Sequence, residues 1–371
     1  MRIAQVAPLV ESVPPKTYGG TERIVHYLTE ELHRLGHDVT LFASGDSVTA
    51  ARHVAAVPQS LRSCANRRNA LYCDFKQLKL VMEMASQFDV IHFHTDCSHL
   101  PVTRYLRTPH VTTLHGRLDL PDFDLLLETY CDVPLVSISN SQRSALATAN
   151  WVGTVYNGTP ADRYVFREQP GEYFAFLGRF APEKGPTRAI EIAKRLQVPL
   201  KMAAKIDEVD REYFEAEIRP HLDHPLIEYI GEVDEAGKNT LLGNARATLF
   251  PIDWPEPFGL VMTESMACGT PVVAFRRGSV EEVMKHGVSG YVVDNLEEAM
   301  EAAASIEQID RRGCRLYFQE RFTVERMALG YTEVYERLVG PTRPLGPGSH
   351  PSKFPGCVAP PALPRAPSGL L

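Results

Sequence analysis

Two glutamates flank a loop that leads into a helix, and together they could bind a ligand that carries both phosphate and hydroxyl groups. Glu256 and Glu264 are separated by seven residues within segment 251–282. Phe258-Gly259-Leu260 opens a short helix, whose free backbone N–H groups attract anions, and Gly259 lets a ligand approach the backbone closely. Carboxylates accept hydrogen bonds from sugar hydroxyls. Either glutamate taken alone is more often a solvated surface side chain.

Four further pieces of sequence follow predicted strands and could contribute to the same site. They contain Gly19 and Gly20 in Tyr-Gly-Gly-Thr-Glu, His115 in Thr-Leu-His-Gly, Arg179 and Lys184 in Leu-Gly-Arg-Phe-Ala-Pro-Glu-Lys-Gly, and Val233 in Gly-Glu-Val. Glycines before a helix let backbone amides reach a phosphate. Arg179 and Lys184 can neutralise the charge that develops on a departing diphosphate. Each residue alone also fits an ordinary structural role, as a lone histidine at a strand end usually does.

The composition excludes several classes of protein. The chain has 371 residues, of which 44% are apolar and 23% charged, which is typical of a globular protein with two domains. Its net charge of −7 argues against a dedicated nucleic-acid binder. No segment approaches the roughly 20 apolar residues that cross a bilayer. The first residues show no cleavable signal pattern, so we expect a cytoplasmic protein.

Short apolar runs alternate with helical patterns along the chain and predict two parallel, doubly wound α/β sheets. Predicted strands begin near residues 3, 39, 90, 111 and 135, and a second series begins near residues 173, 200, 227, 247, 271 and 290. A linker rich in glycine and proline separates the two series at about 157–171. We therefore expect domains at 1–160 and 172–322. Ligands of such sheets bind beyond the carboxyl ends of the strands, in the cleft between the halves.

The end of the chain contains one more helix and a tail. Thr323 is typical of an N-cap, and the helix that it begins, at 323–339, is expected to return to the first domain. Residues 340–371 are rich in proline and glycine, which predicts disorder. Earlier in the second half, Ser279 with Glu282 predicts a capping box.

The long segment around the two glutamates resembles the donor-site signature of the retaining glycosyltransferases of family 4. The matching string is Pro-Glu-Pro-Phe-Gly-Leu followed by Glu-Ser-Met-Ala-Cys-Gly-Thr-Pro-Val-Val-Ala. With the four other pieces, the resemblance covers about residues 1–338. It implies the GT-B fold, in which two Rossmann-like domains face each other across a cleft. The implied activity is transfer of a hexose from a nucleotide diphosphate sugar to an acceptor hydroxyl, with retention and without a metal.

The resemblance also implies a role for each matching residue. It assigns catalytic roles to Arg179, Lys184, Glu256 and His115. The expected donor-binding residues are Gly19, Gly20, Val233, Phe258, Gly259, Leu260 and Glu264. In the family, the first glutamate contacts the donor sugar, the second holds the ribose, and the base is read largely through the backbone. The identity of the nucleotide base is therefore hard to infer from the side chains. UDP-glucose is a first guess for the donor, and no other cofactor is expected.

Several alternatives stay open at the level of sequence. One is a GT-B enzyme that acts on sugar nucleotides without transfer, such as an epimerase, and another is a non-catalytic binder of nucleotide sugars. His92, His94 and Asp96 could be metal ligands, although the chain contains no C-x-x-C pair. The acceptor could be a saccharide, a lipid-linked molecule or a small molecule, and contact with a membrane surface is left open.

Overall fold

The first half of the chain forms a seven-stranded parallel sheet. The computed structural model describes residues 1–64 and 69–340, so the predicted disordered tail lies outside the described residues except for Gly340. The strand order is β3-β2-β1-β4-β5-β6-β7. The strands are β1 (Arg2–Val6), β2 (Asp38–Ser44), β3 (Arg52–Val57), β4 (Val90–Phe93), β5 (His110–Leu114), β6 (Leu135–Ser137) and β7 (Trp151–Thr154).

Helices cover both faces of this first sheet. They are α1 (Gly20–Arg34), α2 (Ala70–Met84), α3 (Leu100–Thr103), α4 (Phe123–Thr129) and α5 (Asn140–Ser144). Successive side chains of a strand point to opposite faces. Ile3 accordingly packs with residues of α1, whereas Ala4 and Val6 pack with residues of α2. Strand β1 is accordingly buried on both faces from Ile3 to Val6, and Gln5 is its buried polar residue.

The second half forms a six-stranded parallel sheet with the order β10-β9-β8-β11-β12-β13. Its strands are β8 (Tyr173–Arg179), β9 (Leu200–Lys205), β10 (Ile227–Gly231), β11 (Ala245–Phe250), β12 (Val272–Phe275) and β13 (Gly290–Val293). Its helices are α6 (Pro186–Leu196), α7 (Arg211–Tyr213), α8 (Glu235–Gly243), α9 (Leu260–Ala267), α10 (Val280–Val283), α11 (Leu296–Ala304) and α12 (Arg311–Arg321). Phe174 and Phe176 enter one core and Ala175 enters the other, so this sheet is also buried on both faces.

The last helix, α13 (Val324–Val339), follows the second sheet and packs on the first. Thr323 is its N-cap and accepts a hydrogen bond from the backbone N–H of Arg326 at 3.4 Å. Tyr331 and Tyr335 of α13 lie in the same buried cluster as Ile3 of β1. Because this helix contacts α1 and β4, the end of the described chain belongs to the core of the first half.

Three local features differ from the sequence-based expectations. Strands β3 and β7 were not predicted. Both are edge strands: the apolar stretch 54–57 of β3 is half alanine, which has a low strand propensity, and β7 contains Gly153 among its four residues. The pattern at residues 210–219 predicts a single α-helix, but after the three residues of α7 the structure continues as a π-helix over Phe214–Ile218. The predicted capping box is wrong: Ser279 Oγ donates to the Phe258 carbonyl instead, at 3.0 Å.

None of the helices within residues 1–64 and 69–340 combines the length and the apolar character that a membrane span requires.

Candidate functional site

A cleft of about 640 Å³ lies between the two sheets. Its walls come from the carboxyl ends of strands in both halves, where ligands of parallel α/β sheets bind. The cleft brings together all eleven residues for which the family resemblance implies a catalytic or donor-binding role: Gly19, Gly20, His115, Arg179, Lys184, Val233, Glu256, Phe258, Gly259, Leu260 and Glu264. Residues 245 positions apart therefore meet in one cavity.

Two helix N-termini line this cleft, one from each half of the chain. Gly259 precedes α9 with a φ of 79°, and a Cβ atom there would lie 2.7 Å from Met262 Cε. Gly19 precedes α1 with a φ of 149°, and its Cβ would lie 2.7 Å from a carbon of Pro15. Only glycine fits both positions without strain. The exposed N–H groups of both helices can therefore face an anionic ligand.

Glu256 is a buried carboxylate held by two donors. Its Oε2 accepts from Lys184 Nζ at 2.6 Å and from Trp254 Nε1 at 2.9 Å. The Lys184 ammonium also lies 4.3 Å from the centre of the Trp254 ring. Within the described residues, Glu256 Oε1 has no hydrogen-bond donor, so this oxygen can accept from a ligand hydroxyl.

Glu264 is a second buried carboxylate, at the opposite end of the seven-residue spacing. Its Oε1 accepts from Lys238 Nζ at 2.8 Å, and both side chains are largely shielded from solvent. Burial alone would raise the pKa of the Glu264 carboxyl, but the Lys238 ammonium and the Arg23 guanidinium outweigh burial and lower this pKa below its usual value. Glu264 is therefore an ionised acceptor at neutral pH.

Arg179 is surrounded by acidic side chains. Its Nε lies 3.1 Å from Asp210 Oδ2, its Nη1 lies 3.6 Å from Asp207 Oδ2, and it also pairs with Glu183. Burial would lower the pKa of Arg179, but the neighbouring carboxylates raise it overall, so the guanidinium stays charged. A diphosphate that binds at Arg179 must compete with these three carboxylates for the same N–H groups.

His115 lies at the end of β5, half-buried in the wall of the cleft. Its Nε2 is 2.9 Å from His94 Nδ1 on the neighbouring strand β4. Burial lowers the pKa of His115 to about 4, so its imidazole is neutral at pH 7. A neutral ring can position or polarise a ligand group, but it carries no charge of its own.

The residues of the cleft that were missed at the level of sequence include four with identifiable contacts. Trp254 and Lys238 hold the two glutamates, Arg23 lies near Glu264, and Lys205 lines the cleft above the Tyr18 ring. Lys205 ends strand β9 as Arg179 ends β8, and that shared position could have revealed it. Lys238 could not have been identified in this way, because it lies within a helix and its partner, Glu264, is distant in sequence.

A metal site at His92 and His94 is not supported, because both ring nitrogens of each histidine already form hydrogen bonds with protein groups. His92 bonds to Tyr335 and Thr113, and His94 bonds to His115 and Gln5. In the part of the chain that the structure describes, no group of three or more acidic, histidine or cysteine side chains is arranged to hold a metal ion.

Comparison with known proteins agrees with this architecture. Residues 18–163 match the model for Glycosyltransferase Family 4, and residues 162–313 match the model for Glycosyl transferases group 1. The phosphatidyl-myo-inositol mannosyltransferase of Mycolicibacterium smegmatis is 26% identical over 323 residues, covering 79% of this chain and 81% of the relative.

Two solved structures share the fold. AviGT4, a glycosyltransferase involved in avilamycin A biosynthesis, has a TM-score of 0.71 at 24% identity, over 91% of this chain and 98% of its own. Anabaena HepE, solved in complex with UDP and glucose, has a TM-score of 0.70 at 18% identity, over 91% of this chain and 100% of its own.

The two facing parallel sheets and the cleft between them are those of a GT-B glycosyltransferase. The chain belongs to the glycosyltransferases of family 4, whose models together match residues 18–313. The fold class and the family resemblance expected from the sequence are confirmed.

Proposed function

We propose that this glycosyltransferase moves a hexose from a nucleotide diphosphate sugar to an acceptor hydroxyl, with retention at the anomeric carbon and without a metal ion. The observation that carries the proposal is the convergence of both glutamates, both glycine-led helix N-termini and the cations Arg179 and Lys184 on one cleft. Carboxylates can accept hydrogen bonds from sugar hydroxyls, and helix N-termini together with cationic side chains can bind a diphosphate.

In this proposal the donor lies mainly on the second domain. Glu264 accepts from the ribose hydroxyls, and the N-terminus of α9 with Lys184 and Arg179 faces the diphosphate. Glu256 Oε1 and His115 contact the sugar. Positioning and stabilisation of the leaving phosphate supply most of the rate enhancement in such a site.

The bond changes are those of a front-face substitution. The bond between the anomeric carbon and the phosphate oxygen breaks, and the acceptor oxygen forms a bond to the same face of that carbon. The acceptor proton passes to the departing phosphate, which leaves as a nucleoside diphosphate. In this proposal no enzyme carboxylate serves as a covalent nucleophile: Oε2 of Glu256 is bonded to Lys184 and Trp254, and its Oε1 accepts from a sugar hydroxyl.

UDP-glucose is the donor that we propose to test first. The shared fold with Anabaena HepE, whose structure holds UDP and glucose, supports that choice. The acceptor would bind the first domain, where a saccharide, a lipid-linked molecule and a small molecule are all candidates. The relative from M. smegmatis is named for transfer to phosphatidyl-myo-inositol, so lipid-linked polyols belong in the acceptor panel.

The donor site is tested by thermal stabilisation with a panel of nucleoside diphosphates and their sugars. A ligand that binds only the folded protein raises its melting temperature by mass action. We expect one nucleotide to stabilise the wild type, and we expect Glu264→Ala and Lys184→Ala to abolish that shift. The exposed residues Glu297 and Lys285 provide matched controls as Glu297→Ala and Lys285→Ala. Equal shifts in all variants would contradict the proposed site.

Turnover separates transfer from the two alternatives. A transferase requires the acceptor for full turnover, an epimerase changes the sugar nucleotide without one, and a binder does neither. Nuclear magnetic resonance of the product gives the anomeric configuration, and net inversion would overturn the proposed mechanism. Unchanged activity in a chelator is expected for a metal-independent enzyme.

A further inference from the structure

A continuous buried hydrogen-bond chain runs from His115 in the cleft toward helix α13. His115 Nε2 is 2.9 Å from His94 Nδ1, and His94 Nε2 is 2.7 Å from Gln5 Oε1. Gln5 Nε2 then donates to the hydroxyl of Tyr335 at 3.0 Å. Tyr335, Gln5 and His94 are all almost completely shielded from solvent. Each polar atom of this chain therefore depends on its protein neighbour.

The same chain continues past Tyr335 to a second tyrosine of α13. The Tyr335 hydroxyl is 2.7 Å from His92 Nδ1, and His92 Nε2 is 2.7 Å from Thr113 Oγ1. Thr113 Oγ1 is in turn 3.1 Å from the hydroxyl of Tyr331. The histidines come from β4 and the threonine from β5, so the chain spans the first sheet and the helix packed upon it.

The Gln5 amide fixes the direction of the bonds that link it to His115. Its oxygen can only accept, so His94 carries its proton on Nε2 and leaves Nδ1 unprotonated. His94 Nδ1 must then accept, and His115 carries its proton on Nε2. The second nitrogen of His115, Nδ1, has no hydrogen-bond partner among residues 1–64 and 69–340, and His115 lines the cleft. His115 thus presents an acceptor to a ligand.

The histidines and tyrosines of this chain are neutral at pH 7. Burial lowers the pKa of His92 and His94 far below the usual value and raises the pKa of Tyr331 and Tyr335. The charged side chains that line the cleft with His115 include Arg117, Lys184 and Glu256. Lys184 and Glu256 are paired with each other, and Arg117 is paired with Asp119. Hydrogen-bond direction, and not a net charge, therefore selects the tautomer of His115.

We propose that helix α13 sets the tautomer of His115, so that His115 Nδ1 accepts a hydrogen bond from a hydroxyl of the transferred sugar. Tyr335, Gln5 and His94 are then positioning residues that act through His115. The selection of the tautomer concerns the protein alone, whereas the contact with the sugar rests on the proposed function. Helix α13 follows the second domain in the chain, but it thereby orients His115 in the wall that the first domain contributes to the cleft.

The tautomer is measured directly by nitrogen resonances of protein labelled with ¹⁵N-histidine, at pH 7 and without ligand. The resonances of His115 are identified by their loss in His115→Ala. We expect a single neutral tautomer with the proton on Nε2. A proton on Nδ1 in the wild type would overturn the proposal whatever the activity of the enzyme.

The role of α13 is tested with a matched pair of buried tyrosines. Tyr335→Phe removes the acceptor of the Gln5 amide, which can then turn, so we expect both tautomers of His115. Tyr331→Phe removes a hydroxyl at the far end of the chain and should leave the single tautomer. Melting temperatures establish that both variants are folded. A single unchanged tautomer in Tyr335→Phe would contradict the assigned role of the helix.

Kinetics then test the contact with the sugar. The probe reaction is release of the nucleoside diphosphate, with water as acceptor, from the nucleotide sugar that stabilises the protein most. For Tyr335→Phe we expect kcat to fall about 3- to 10-fold with KM nearly unchanged, the effect of one neutral hydrogen bond in the transition state. Tyr331→Phe should match the wild type. If the tautomer changes but neither Tyr335→Phe nor His115→Ala alters kcat, the sugar contact is wrong and the control of the tautomer stands.

Discussion

Each of the two buried glutamates of the cleft is paired with a lysine. Lys184 holds Glu256 and Lys238 holds Glu264, at 2.6 and 2.8 Å. Buried ion pairs of this kind contribute little net stability, but removal of one partner leaves an uncompensated charge. The pairs therefore hold both carboxylates in fixed orientations, in which their other oxygen atoms can accept hydrogen bonds from sugar hydroxyls.

The ion pair between Lys238 and Glu264 can be tested through the stability of the fold. We expect Lys238→Met to lower the free energy of unfolding by about 3 kcal/mol at pH 7, because a buried carboxylate loses its partner. The lowered pKa of Glu264 in the wild type means that the pair stabilises the fold above the usual carboxyl pKa and loses this effect in acid. In the variant the carboxyl takes up a proton more readily, so the loss should shrink toward pH 5.

Urea unfolding at pH 7 and pH 5 measures this difference. Lys201→Met is the control, because Lys201 pairs with Glu228 at 3.1 Å on a more exposed surface. Exposed pairs contribute about 0 to 1 kcal/mol. Equal losses in the two variants would contradict the prediction.

Helix α5 of the first domain is held at its N-terminus by a side chain of the second domain. Glu282, in α10, accepts from the backbone N–H groups of Asn140 and Ser141 at 2.7 and 2.6 Å. The hydroxyl of Tyr156 adds a further bond at 3.0 Å. A carboxylate at a helix N-terminus is favourable both as an acceptor and as a charge. This contact explains why Glu282 does not cap its own helix.

Loss of this contact should weaken the closed arrangement of the domains. We expect Glu282→Ala to increase the radius of gyration in solution and to weaken donor binding about 10-fold, because closure loses charge-assisted hydrogen bonds. Small-angle X-ray scattering and calorimetric titration with the selected nucleotide measure the two effects. Glu281→Ala is the control, since the neighbouring Glu281 pairs with Arg276 within the second domain. Unchanged scattering and affinity in Glu282→Ala would show that other contacts hold the domains.

The first domain as a whole contains several buried, neutral histidines. His92, His94, His99 and His115 lie on or beside the central strands β4 and β5, and burial lowers the pKa of each. In the unfolded chain the same rings bind protons near pH 6.5. Folding therefore excludes protons, and the stability of the molecule should decline as the pH falls below about 6.5.

The contribution of a single histidine, His99, can be measured separately to test this prediction. Burial lowers the pKa of His99 to about 3. Between about pH 6 and 4.5, the free energy of unfolding should therefore fall less steeply in His99→Gln than in the wild type, by about 1.4 kcal/mol per pH unit. Chemical unfolding across this range measures the slopes, with the exposed His33→Gln as the control. Parallel slopes for wild type and His99→Gln would contradict the assigned burial.

The sequence by itself determined the α/β class, eleven strands and eleven of the residues that line the cleft. These features depend on short-range information: apolar runs of strand length, glycines at helix starts and the seven-residue spacing of Glu256 and Glu264. Strands β3 and β7 were not predicted, because both are partly buried edge strands that contain alanine or glycine, residues of low strand propensity.

Only the tertiary structure decided which side chains hold the functional groups in place. The partners Lys238 and Glu264 are 26 residues apart, and Gln5 and Tyr335 are 330 apart. Their pairing follows from the packing of whole helices on sheets, so it cannot be predicted from a local pattern in the sequence. A buried polar atom must find a partner wherever the fold brings one, so the contacts that fix the chemistry of the cleft were set by the packing of the domains.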